Sequence, residues 1–114
     1  MRILFIEDDP RLADAFAALA ASIGHEPEVA YDGQSALALT AANTYDAIFL
    51  DIGLPDADGR TLCRQLRAAT PSAQACVVAV TGRANLSAQE LDAFDGYLLK
   101  PISQEALEDA IKGC

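Results

Sequence analysis

The chain has 114 residues, 52% of them hydrophobic and 22% charged, which describes a single globular domain rather than a disordered chain. Seventeen Asp and Glu against eight Lys and Arg give a formal net charge of -9, which argues against binding a nucleic-acid backbone or an anionic membrane. The expectations on this count are therefore no direct nucleic-acid contact and no membrane.

Along the chain, short apolar runs alternate with helical patterns. Arg2–Ile6 is an apolar run without helical period, too short for a signal peptide and followed at once by Glu7, Asp8 and Asp9. With no later stretch approaching a membrane span, a cytoplasmic location is the default reading. Asp9 can cap a first helix opening at Pro10, whose missing N–H costs nothing there. Leu12, Phe16, Leu19 and Ile23 follow at helical spacing, and Gly24 stops the run. Glu28–Ala30 is a weak strand, suited to a sheet edge. Asp32-Gly33 opens a second helix to about Asn43. Ala47–Leu50 is a fully apolar strand, and Asp58-Gly59 opens a third helix with Leu62 and Leu66 inward, ending before Thr70-Pro71. Cys76–Val80 reads as another buried strand. Ser87 and Glu90 form a capping box, flanked by Leu86 and Leu91 as a hydrophobic staple, for a fourth helix of about two turns. Tyr97–Leu99 is a weaker strand, and Ser103 caps a fifth helix with Leu107 and Ile111 on one face.

Five strand–helix repeats imply right-handed crossovers and a parallel sheet covered by helices on both sides, an α/β fold. Cys63, Cys76 and Cys114 are odd in number and form no C-x-x-C, so they are expected to be reduced, as apolar filler and an exposed tail thiol.

In such sheets, ligands bind at the carboxyl ends of the strands. The residues found there are Glu7, Asp8 and Asp9 after the first strand, Asp51 after the third, Thr81 after the fourth and Lys100 after the fifth. Singly, each has an ordinary explanation, and Asp9 is best read as a cap. Together, Glu7, Asp8 and Asp51 would repel one another unless a cation sat among them, and hard oxygen ligands suit Mg²⁺. A carboxylate beside Mg²⁺, a lysine and a hydroxyl is equipped to accept a phosphoryl group.

These residues lie within ILFIEDDP (residues 3–10), YDAIFLDIGLPDADG (45–59), VAVTG (78–82) and GYLLKP (96–101). In that order, with 43 positions from Asp8 to Asp51 and 30 from Asp51 to Thr81, the sequence resembles the receiver domain of bacterial two-component response regulators over essentially its whole length, 1–114. The resemblance implies a flavodoxin-like (βα)5 three-layer sandwich with strand order 2-1-3-4-5. It assigns Asp51 as the phosphoacceptor, served by a sensor histidine kinase or a phosphotransfer protein. Asp8 would bind Mg²⁺ directly, Glu7 through water, and the Gly53 backbone carbonyl would be a further ligand. Thr81 would hydrogen-bond the phosphoryl group and Lys100 would pair with it, while Gly82 leaves the site open. Lys100-Pro101 would be a cis peptide, and Tyr97 the aromatic that turns inward as Thr81 moves. Output would pass to a downstream protein target, or to an output domain if the chain was cut from a longer regulator at Cys114.

One feature departs from the family. Only 19 positions separate Thr81 from Lys100, a few fewer than usual, and the shortening falls on the fourth-helix, fifth-strand, fifth-helix face that many receivers use to dimerise or meet targets. Two other readings of the same residues are a small Mg²⁺-dependent phosphohydrolase with Asp51 as nucleophile, and a protein-binding receiver that is not phosphorylated. Gly53 stands where such a hydrolase often carries its general acid. All the acidic and basic residues that a degenerate receiver usually loses are present.

Overall fold

The computed structural model describes residues 1–54, 56, 58–69, 71, 73–82 and 87–114. The elements run β1 (Arg2–Ile6), α1 (Pro10–Ser22), β2 (Glu26–Ala30), α2 (Gly33–Ala42), β3 (Ala47–Asp51), α3 (Gly59–Ala69), β4 (Cys76–Thr81), α4 (Ala88–Leu91), β5 (Gly96–Leu99) and α5 (Gln104–Lys112). All strand pairs are parallel, in the order β2-β1-β3-β4-β5.

Alternation along the central strands divides the core into two layers. Ile3 and Phe5 of β1, with Ala47 and Phe49 of β3, face one side, where Phe16 and Ala20 of α1 and Leu107 and Ile111 of α5 cover them. Leu4, Ile6, Ile48 and Leu50 face the other side, against Ala36 of α2 and Leu62 and Leu66 of α3. This period of two, buried on both faces, is why β1 and β3 read as unbroken apolar runs. Phe5 stacks on Phe49 with ring centroids 5.3 Å apart.

The caps fall where the side chains allow. Asp9 accepts from the Arg11 N–H at 3.0 Å with Pro10 inside the first turn, Asp32 accepts from Ser35 at 2.7 Å, and Ser103 from Ala106 at 3.1 Å. Gly24 leaves α1 at φ +90°, a conformation open to glycine and strained for other residues.

Several sequence expectations need correction. β2 begins at Glu26 instead of Glu28 and includes Pro27, which an edge strand tolerates because one side of it makes no ladder bonds. The inward line of α1 is Ala13, Phe16 and Ala20, while Leu12 is 37% exposed. The fourth helix is a single turn rather than two. After Leu91 the Phe94 N–H turns back to the Leu91 carbonyl at 3.1 Å, and the Asp95 N–H bonds Val77 at 2.8 Å, drawing the chain straight into β5. The Leu86 staple and the stop at Thr70 lie outside the described residues, as does the Glu90 side chain of the capping box.

The cysteines also differ from expectation. Cys63 is buried and free, but Cys76 and Cys114 form a disulfide, with Cα atoms 5.5 Å apart. The cause is tertiary. α5 runs antiparallel over the sheet, so the residues just after it land on the start of β4, a placement that no local pattern encodes.

Candidate functional site

The order of the sheet reverses between β1 and β3, because the chain goes outward to β2 and then returns to the other side of β1. The crevice outside the strand ends at such a point is where ligands bind in this class of fold. Parallel register brings the ends together: Ile6 pairs with Leu50, Asp51 with Val80, and Thr81 with Leu99. The residues that end or follow these strands therefore share one edge.

Glu7 is 2% exposed, its N–H donating to the Ala30 carbonyl at 2.9 Å. Asp51 ends β3 and is also buried. Its Oδ1 accepts the Gly53 N–H at 2.9 Å, so the turn after β3 fixes the carboxylate's orientation. Asp8 stands exposed beside them. One oxygen from each of Glu7, Asp8 and Asp51 lies within 4.8 Å of the other two. Lys100 reaches in from the end of β5, its Nζ 2.6 Å from Glu7 Oε1 and 3.3 Å from Asp51 Oδ2. Its position is set by its backbone N–H, which donates to the Thr81 carbonyl at 2.8 Å, and it is followed by a cis bond to Pro101. Thr81 is buried at the end of β4. At Gly82 an added Cβ would meet nothing within 4 Å among the described residues.

Charge is unevenly shared in this cluster. Burial pushes the Glu7 carboxyl up to about 7, helped by its hydrogen bond with Asp51 and opposed by Lys100. Burial would raise Asp51 as well, but hydrogen bonds from Glu7 and the Gly53 N–H, together with Lys100, outweigh it and hold Asp51 below the usual carboxylate range. Near neutral pH Asp51 is thus ionised, while Glu7 shares in the proton. The raised Glu7 carboxyl reflects burial first and the neighbouring Asp51 carboxylate second. Three hard oxygen donors within 4.8 Å of one another fit a small divalent cation and would suit neither a thiophilic metal nor an anion.

The structure gathers Glu7, Asp8, Asp51, Thr81 and Lys100 at one edge. Gly53 lies two residues past Asp51 on the turn. Tyr97 sits apart from them, 51% exposed on β5. Asp9 serves as the cap of α1. Two supporting roles were not read from the sequence. Asp56, in the loop after β3, accepts the Gly33 and Gln34 N–H groups at 3.0 and 3.3 Å, tying the Asp51 loop to the start of α2. Its partners are more than twenty residues away, so no local signal could reveal it. Gly59 opens α3 where an added Cβ would lie 2.9 Å from Ile52. An aspartate–glycine pair read only as a helix start is therefore also a close approach holding that loop.

Residues 3–112 match the response regulator receiver domain family. The chain belongs to that family. Among relatives, the receiver domain is 34% identical over 108 residues to the response regulator MprA of Mycobacterium avium (strain 104), covering 94% of this chain and 47% of that protein. It is likewise 34% identical over 115 residues to a gliding motility regulatory protein of Myxococcus xanthus, covering 97% of this chain and 15% of that one. The chain thus spans about half, or less, of the curated relatives it matches. Among solved structures, a CheY-like response regulator receiver domain from Methylobacillus flagellatus superposes with a TM-score of 0.92 at 34% identity, covering 98% of this chain and 96% of that one. The receiver domain of a sensor histidine kinase from Pseudomonas aeruginosa PAO1 superposes with a TM-score of 0.88 at 30% identity, covering 97% and 93%. That structure carries a magnesium ion coordinated in its active site cleft.

Proposed function

We propose that this receiver domain accepts one phosphoryl group on Asp51 in a Mg²⁺-dependent reaction and uses it to switch protein contacts. The observation that carries the reading is Asp51 itself: buried, held at Oδ1 by the Gly53 N–H, and 3.3 Å at Oδ2 from Lys100. An Asp51 carboxylate oxygen attacks phosphorus as the bond to the donor breaks. The donor is a histidine kinase or phosphotransfer protein, whose imidazole leaves, or a small acyl phosphate. Glu7, Asp8, Asp51 and the Gly53 carbonyl are the residues that would hold Mg²⁺, which when bound supplies positive charge to the transferring oxygens. Lys100 adds a second positive charge, and the Thr81 hydroxyl donates to the new phosphoryl group. As Thr81 moves inward, Tyr97 follows from its exposed position, changing the surface formed by β5, α4 and α5. The receiver of that change is a downstream protein or an output domain, in the cytoplasm.

Acetyl phosphate with Mg²⁺ should add one phosphoryl mass, which hydroxylamine removes and chelation of the metal prevents. Labelling of Asp51→Asn as efficient as that of the unmodified chain would sink the assignment. For the switch, amide exchange with and without beryllofluoride should change at 96–99 and 104–112. Protection confined to the loop after Asp51 would show that the signal leaves by another face.

A further inference from the structure

The Cys76–Cys114 pair lies at the opposite end of the sheet from the acidic cluster and takes no part in the reaction above. Cys76 opens β4, and Cys114 follows Gly113 at the end of α5. Between β4–β5 and α5 runs a groove of about 410 Å³, with Val78, Tyr97 and Leu98 on one wall and Ala106, Ala110 and Gly113 on the other. The disulfide joins the two walls at one end. A second cavity of about 420 Å³ is lined by Arg67, Gln74, Asp95 and both bonded cysteines. Cys114 is exposed and Cys76 half-buried, so a small thiol or disulfide can reach the pair. The third cysteine cannot compete. Cys63 is buried in the opposite layer, its Sγ 3.2 Å from the Ala93 carbonyl.

We propose that Cys76 and Cys114 are a reversible thiol–disulfide site that exchanges with small disulfides of the glutathione class and, when oxidised, clamps the end of α5 to β4. The exposed Cys114 thiolate attacks the small disulfide, forming a mixed disulfide and releasing one thiolate. The Cys76 thiolate then attacks the Cys114 sulfur, closing the internal bond and releasing the second thiolate. Two protein thiols are oxidised as one small disulfide is reduced to two thiols. Closing the bond fixes the separation of the groove walls on the face that carries Tyr97. It also links residues 38 apart in sequence, which restricts the unfolded chain.

The test uses the whole chain, equilibrated with oxidised glutathione or with excess reduced glutathione, then denatured, alkylated and mapped by mass. After oxidation, the Cys76 and Cys114 peptides should be joined and Cys63 alone alkylated; after reduction, all three should be alkylated. The oxidised chain should melt about 5 °C or more above the reduced one. Amide exchange should slow at 96–99 and 104–112. Cys76→Ser should stop at a glutathione adduct on Cys114, and Cys63→Ser should form the internal link unchanged. Three alkylatable thiols after oxidation would overturn the proposal. So would a link to Cys63, a chain-to-chain dimer, a bond that excess reduced glutathione does not open, or an internal link that leaves exchange in α5 and β5 unaltered.

Discussion

The two ends of the sheet handle charge in opposite ways. At the end where the strands begin, Glu28 and Asp95 each meet an arginine and a further hydrogen-bond donor. Arg2 pairs with Glu28 at 2.9 Å and lies over the Tyr45 ring, the buried Tyr45 hydroxyl donates to Glu28 at 2.6 Å, and Arg67 meets Asp95 at 2.8 Å. Asp95 also accepts the Val77 N–H at 2.8 Å. At the other end, Glu7, Asp8 and Asp51 crowd together, with the Lys100 ammonium against Glu7 and Asp51. The titration of the groups follows. The Tyr45 hydroxyl and Arg2 hold Glu28 below its ordinary range. Asp95 is also lowered, because Arg67 and the Val77 N–H outweigh the burial that would raise it. Glu7 goes the other way. One end is arranged to hold the sheet together; the other gathers three carboxylates in one place.

The sharpest way to break this contrast is to remove one acid from the crowded end. Two carboxylates about 4 Å apart repel by roughly 1 kcal/mol in water and by more in a shielded cleft. Asp8→Asn should therefore weaken Mg²⁺ binding by about tenfold or more in calorimetric titration, while the metal-free melting temperature holds or rises. A marked fall in that temperature would make Asp8 structural. The matched end should respond in reverse. Tyr45→Phe leaves the Glu28 carboxylate without its buried donor and should cost about 1–2 kcal/mol in urea unfolding, with Mg²⁺ affinity unchanged. Asp95→Ala should cost less, about 1 kcal/mol. Its ion pair with Arg67 is largely exposed, so the loss comes mainly from the Val77 N–H. If either substitution altered Mg²⁺ affinity as strongly as Asp8→Asn, the two ends would not be independent.

Much of this division is visible in the sequence, for a definite reason. Parallel strands buried on both faces announce themselves as apolar runs, and whatever follows each run must lie at one edge. Glu7, Asp51, Thr81 and Lys100 could therefore be placed before any coordinates. The matched end was not legible. Glu28 and Tyr45 are 17 residues apart, and Arg67 and Asp95 are 28 apart. Each residue is ordinary in its own segment, and the pairs exist only once the strands are in register. The disulfide and the Asp56 cap were hidden by the same kind of distance. The shortness of α4 was partly visible in the spacing from Thr81 to Lys100. Its reduction to one turn depends on Asp95 reaching Val77, which is again a tertiary bond.

The smallest expected effect is on pH dependence. Glu7 has a folded value near 7, above its unfolded carboxylate value, so its contribution is fully present below the unfolded value and lost as pH rises through about 7. Glu28 and Asp95 are depressed, so theirs is present above the unfolded carboxylate value and lost only as pH falls through the lowered folded values. The metal-free chain should therefore melt roughly 2–4 °C lower at about pH 8 than at about pH 6, and lose stability again in acid below the carboxylate range. Mg²⁺ should reverse the loss at the higher pH. A melting temperature that rose steadily from pH 6 to pH 8 without metal would mean that the crowded end is not strained by its charge.

The central claim is that the crowded end exists to make Asp51 a phosphoacceptor, and trapping the acyl phosphate tests it most directly. The chain is treated with acetyl phosphate and Mg²⁺, reduced with borohydride so that a phosphorylated aspartate becomes homoserine, and mapped by peptide mass. The account predicts homoserine at position 51 alone, and none when the metal is chelated. Homoserine at Asp8 or any other acid, or unchanged Asp51 beside a phosphorylated chain, would contradict it.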